Sequence, residues 1–125
     1  MTRILVVEHD STVRELIHVQ LRVLGYSPVE PEAGEDFDLA LIEPELREGL
    51  ELARRLRRER PSLPIVFMSV REPTERTESL EPRAHLVKPV GLAALHQRLE
   101  GVLAGATRAA ASADSSSYIE NGFKR

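Results

Sequence analysis

Six side chains able to act in concert stand directly after apolar runs in this 125-residue chain. Glu8, His9 and Asp10 follow Ile4-Leu5-Val6-Val7, and Glu43 follows Leu39-Ala40-Leu41-Ile42. Ser69 follows Ile65-Val66-Phe67-Met68, and Lys88 follows Leu86-Val87. Three carboxylates around one lysine can form a standing ion-pair network. His9 together with Glu8, Asp10 and Glu43 could instead supply ligands for a softer ion such as zinc or manganese. The plainer alternative makes the acids solvated caps at strand ends and His9 a surface loop residue.

The apolar runs that must position these groups are short, continuous and rich in β-branched residues, as expected of strands buried on both faces. Between them the period changes. Val13, Leu16, Ile17, Leu21 and Leu24 recur at helical spacing, with Thr12 and Glu15 at capping-box spacing and Gly25 as the stop. Leu50, Leu52, Ala53 and Leu56 define a second helix closed by Pro61, and Leu92, Leu95, Leu99 and Val102 a last one. Strands alternating with helices imply a parallel sheet covered on both faces, with function beyond the carboxyl ends of the strands. All six groups fall at such ends.

The segment from Ile4 to Arg14 resembles the opening of a response-regulator receiver domain of the CheY-like family. So do Asp38-Leu39-Ala40-Leu41-Ile42-Glu43, Pro64 to Ser69, and Leu86-Val87-Lys88-Pro89. The resemblance spans residues 3–103. It implies a flavodoxin-like α/β fold, doubly wound, with five parallel strands in the order 2-1-3-4-5, and a place in bacterial two-component signalling. In that family an acidic pair after strand one holds magnesium, and an Asp after strand three accepts a phosphoryl group. A hydroxyl after strand four and a lysine before proline after strand five contact that group.

Carried over position by position, the resemblance makes Lys88 the lysine, Ser69 the hydroxyl and Glu43 the acceptor. Glu8, His9 and Asp10 form the acidic pocket, and His85 falls where an aromatic residue reports activation. The pattern is incomplete. His9 replaces the second acid, Glu43 is one methylene longer than Asp, and the following loop is shorter and lacks the usual Met-Pro. Magnesium wants octahedral oxygen ligands, which imidazole serves poorly. Magnesium binding is therefore expected to be weak or lost, with Glu8 and Asp10 the residual candidates for any metal contact and no other cofactor implied. Glu43 is expected within ion-pair reach of Lys88, partly imitating a phosphorylated Asp.

The chain then reads as an atypical receiver, a pseudo-receiver that is not an enzyme and works by phosphorylation-independent protein–protein contact. The rivals are a functioning phosphorelay receiver using a displaced carboxylate, Asp10 or Glu43, and a metal-binding regulator. Partners would be proteins, such as a histidine kinase or an output protein. The formal net charge of −3 and the absence of Trp argue against nucleic-acid binding. Basic Arg54 to Arg60 reads as a solvated helix face. Nothing approaches a membrane span, and the lack of Cys fits a cytoplasmic location.

Between Val29 and Asp38 the family's second helix has no room, since a parallel crossover usually needs about a dozen residues. The family's fourth helix, between Arg71 and Pro82, is also expected to be short. The sheet face beside the first three strands is thus expected to be bare and to drive homodimerisation there. Residues 1–104 form the receiver-like domain, and residues 105–125 an Ala/Ser-rich tail or linker whose Tyr118, Ile119 and Phe123 are an alternative cover.

Overall fold

A computed structural model describes residues 1–115. Its five strands are β1 (Arg3–Val7), β2 (Ser27–Val29), β3 (Leu39–Ile42), β4 (Ile65–Ser69) and β5 (Ala84–Val87). Its helices are α1 (Ser11–Val23), α2 (Arg47–Glu59), α3 (Glu75–Glu78) and α4 (Leu92–Ser115). The strands pair in parallel in the expected order β2-β1-β3-β4-β5.

Because successive strand residues point to opposite faces, the sheet divides the core in two. Ile4, Val6, Leu39, Leu41, Val66 and Met68 pack on one side against Ile17 and Leu21 of α1 and Leu95 and Leu99 of α4. Leu5, Ala40, Ile42, Ile65 and Phe67 pack on the other against Leu50, Ala53 and Leu56 of α2. The register sets Val7 beside Ile42, Ile42 beside Phe67 and Ser69 beside Val87. The carboxyl ends of the central strands thereby meet at one edge.

In place of the family's second helix there is one 3-10 turn, Pro31–Ala33, closed by Gly34 at φ +70°. The family's fourth helix is the single turn α3. The expected bare face is not found. Leu5 and Val29 are 3% and 2% exposed, and Ala40 and Ile42 are fully buried. Phe37 packs against this cluster, and the Arg60 guanidinium lies 4.9 Å from the centre of its ring. Phe37, on the short connection before β3, and Arg60, at the end of α2, help α2 do the covering that a helix would have done.

Three further expectations need correction. Asp10, not Thr12, caps α1: its carboxylate accepts from the Thr12 and Val13 backbone N–H groups. Arg57 is not part of an idle solvated face, since its guanidinium donates to the carbonyls of Pro61, Leu63, Leu80 and Glu81. Helix α4 does not stop near residue 104 but runs on to Ser115. Alanine, the strongest helix former, lets that composition continue a helix as readily as it makes a linker. Tyr118, Ile119 and Phe123 lie outside the described residues.

Candidate functional site

The site is built where β1, β3 and β5 end. Glu8 is the residue after β1, and its side chain is only 1% exposed. Glu43 follows β3, with a side chain 6% exposed, and its backbone N–H bonds the Val7 carbonyl at 2.8 Å. Lys88 follows β5 and is pinned by its N–H to the Ser69 carbonyl at 2.7 Å. A burial this deep demands that every charge be paired.

The pairing is complete within the chain. Lys88 Nζ donates to Glu8 Oε1 at 2.9 Å and lies 3.6 Å from Glu43 Oε2. The expected Glu43–Lys88 approach is present, but Glu8 holds the shorter contact. His9 is an exposed loop residue, its side chain 54% accessible, yet its ring reaches the edge of the pocket: Nδ1 lies 2.5 Å from Glu43 Oε1 and 3.6 Å from Glu8 Oε2. Its backbone N–H also donates to Glu43 Oε1 at 3.2 Å.

These contacts set the protonation of the group. Burial pushes the Glu43 carboxyl up, but hydrogen bonds from the His9 ring and backbone and the Lys88 charge outweigh it, leaving a lowered pKa. Burial pushes Lys88 down, yet its hydrogen bond to Glu8 and the surrounding carboxylates prevail and raise it. The hydrogen bond to Glu43, with that residue's charge, raises His9. The closest contacts thus set the Glu8 and Glu43 carboxylates against the Lys88 ammonium and the His9 ring.

The other expected members are placed elsewhere. Asp10 is exposed, and its carboxylate serves the N-terminus of α1, with its own pKa lowered by those backbone bonds. It does not join the acids around Lys88, because a cap cannot also reach the pocket. Ser69 Oγ donates to Glu45 and accepts from the Arg71 N–H at 2.9 Å. His85 lies edge-on to Phe67, and its Nε2 bonds the Arg71 carbonyl at 2.8 Å, away from Glu43. Glu45 was not singled out in the sequence. Its only signal was a second acid two residues beyond Glu43 in a loop with no other polar group before α2.

Magnesium does not fit this donor set. Glu8 is engaged by Lys88, Asp10 by the helix end, and the second acid is an imidazole. The donor atoms of Glu8, His9 and Glu43 do lie within 4.8 Å of one another, a mixed nitrogen and oxygen set better matched to a transition metal.

No family model matches the chain. It is 30% identical over 135 residues to the phosphate regulon transcriptional regulatory protein PhoB of Pseudomonas aeruginosa, covering 95% of this chain and 57% of that protein. The chain thus spans little more than half of that relative's length. Among solved structures it is similar to a CheY-like response regulator receiver domain protein from Methanospirillum hungatei, with a TM-score of 0.77 at 21% identity over 86% of this chain and 98% of that one. It is also similar to the N-terminal domain of a response regulator/sensory box/GGDEF 3-domain protein from Carboxydothermus hydrogenoformans. That match has a TM-score of 0.76 at 23% identity, over 87% and 99% of the two chains.

Proposed function

We propose that the chain is a CheY-like receiver domain of the response-regulator family, a module of two-component signalling, and that it works by protein–protein contact without being phosphorylated; its fold and its 30% identity to a regulatory protein over 95% of its length support the first part. One observation carries the reading: Glu43, at the acceptor position, is already paired with His9 and Lys88, and Glu8 with Lys88. Phosphoryl transfer depends on positioning and on neutralising charge at the transferring group. Here the cations that could do so are spent on the chain's own carboxylates, and the acidic pair is incomplete.

Such a receiver is a binding module and not a catalyst, placed in the cytoplasm and engaging a histidine kinase or an output protein. Leu16, Val19 and Val23 support a contact role, because they fall on one side of α1 and are 55%, 48% and 66% exposed. Incubation with acetyl phosphate and magnesium is expected to leave the mass of the protein unchanged. Addition of one phosphate to the unmodified chain would defeat the reading and favour a working receiver. Glu43→Asp and His9→Asp repair separate defects, so only the double variant is expected to gain labelling.

The metal-binding alternative has the clustering of Glu8, His9 and Glu43 in its favour. Stoichiometric zinc uptake by the protein, lost in His9→Ala, would select it.

A further inference from the structure

Glu45, on the loop between β3 and α2, is half-buried and reaches across to the end of β4, where it accepts the Ser69 hydroxyl. The same hydroxyl oxygen accepts the Arg71 N–H at 2.9 Å, and the Arg71 carbonyl accepts the His85 Nε2–H at 2.8 Å. One continuous hydrogen-bonded chain therefore ties three segments that follow or form different strands: the β3–α2 loop, the β4–α3 loop and β5. Both ends of this chain are unfinished. Glu45 Oε1 and His85 Nδ1 are buried and have no hydrogen-bond partner among the described residues. With Nε2 donating to a carbonyl, Nδ1 of the neutral ring is an acceptor, so both ends lack a donor.

A buried carboxylate oxygen without a donor is costly, which sets the closed arrangement against an open one in which Glu45 finds partners elsewhere. Such partners are adjacent. Glu45, Ser69 and His85 line a groove of about 980 Å³ whose wall includes Arg54, Arg71 and Arg76. These three guanidinium groups are exposed and have no ion-pair partner among the described residues. The groove is wide because α3, which borders it, is only one turn long.

We propose that Glu45 is a conformational latch: bonded to Ser69 it holds the β4–α3 loop and His85 in one arrangement, and released into the groove it frees them. Ser69 and His85 are then positioned by a carboxylate of the chain itself. The latch stands on these local contacts and does not depend on whether Glu43 can be phosphorylated.

Amide hydrogen exchange and histidine-ring NMR on the full chain test it, with Glu45→Ala, Ser69→Ala and the double variant. Removing either end of the bond is expected to speed exchange of the Arg71 amide about tenfold or more, which is the effect of losing roughly one charge-assisted hydrogen bond. The His85 ring resonances are expected to shift in both single variants, and the double variant to add nothing further. Amides of the β1 and β3 core, such as Leu5 and Leu41, are expected to keep their protection. Unchanged exchange at Arg71 in Glu45→Ala, or strictly additive effects in the double variant, would overturn the latch. So would equal acceleration at Arg71 and in the core, which marks only a general loss of stability.

Discussion

At the scale of single residues, Glu8 and Glu43 are paired with Lys88 and His9 at the strand ends, and the protonation of His9 and Glu43 sets the pH response. His9 is raised above its ordinary value of 6.5, so the stabilisation it provides is full below that pH and is lost as pH rises through the folded-state value. Glu43 is lowered from its ordinary 4.5, so its contribution is present above that pH and is lost as pH falls through the folded-state value. Both are complete only between these limits, 4.5 and 6.5. NMR titration in metal-free buffer is expected to place the His9 midpoint above 6.5, and Glu43→Gln to move it down by removing the paired anion. Loss of Lys88 is expected to be costly. Lys88→Ala leaves the buried Glu8 without its closest partner, and about 3–5 kcal/mol of stability is expected to go, read by urea unfolding. An unchanged unfolding midpoint would mean that Glu8 finds another donor.

At the scale of elements, the pocket exists because α2 begins close to the end of β3. A Cβ added to Gly49, in the first turn of α2, would sit 2.2 Å from the Glu43 carbonyl oxygen, a backbone atom that cannot swing aside. Gly49→Ala is expected to push α2 away from β3 and lower stability by roughly 1–3 kcal/mol despite the better helix propensity of alanine. A thermal melt at or above that of the unmodified chain would contradict this close approach. Arg57 does comparable work at the other end of α2, joining it to the loops before β4 and before β5. Arg57→Met retains the aliphatic stem and removes the donors, isolating their contribution to the same melt. A loss of about 1–3 kcal/mol is expected from the carbonyls left unpaired.

At the scale of the whole molecule, the missing helix does not leave a sticky sheet. The strand side chains on that face are buried against α2 and Phe37, so the apolar argument for a dimer there falls away. Phe37→Glu is accordingly expected to act on stability and not on association. It removes an aromatic contact with the cluster and the Arg60–Phe37 stacking, together worth about 1–2 kcal/mol. Light scattering beside a thermal melt separates the outcomes, since a lower melting temperature at unchanged molar mass is expected. A fall in molar mass would restore the dimer. Among the described residues no helix is long and apolar enough to cross a membrane.

The order of strands and helices, and the side chains at the strand ends, were legible in the sequence because each depends on short-range pattern. Runs such as Ile4–Val7 and Ile65–Met68 have the length and β-branched content of buried strands, and a parallel sheet then brings their ends together. The shortness of α3 and the lack of a helix before β3 followed from chain length alone. Which charge meets which was not legible. Whether Lys88 bonds Glu8 or Glu43, whether the His9 ring reaches Glu43, and whether Ser69 is held by Glu45 are set by side-chain reach between segments 24 to 80 residues apart. Few of those distances are encoded in spacing. Covering the second face likewise needed the fold, because Phe37 and Arg60 come together only once α2 has packed on the sheet.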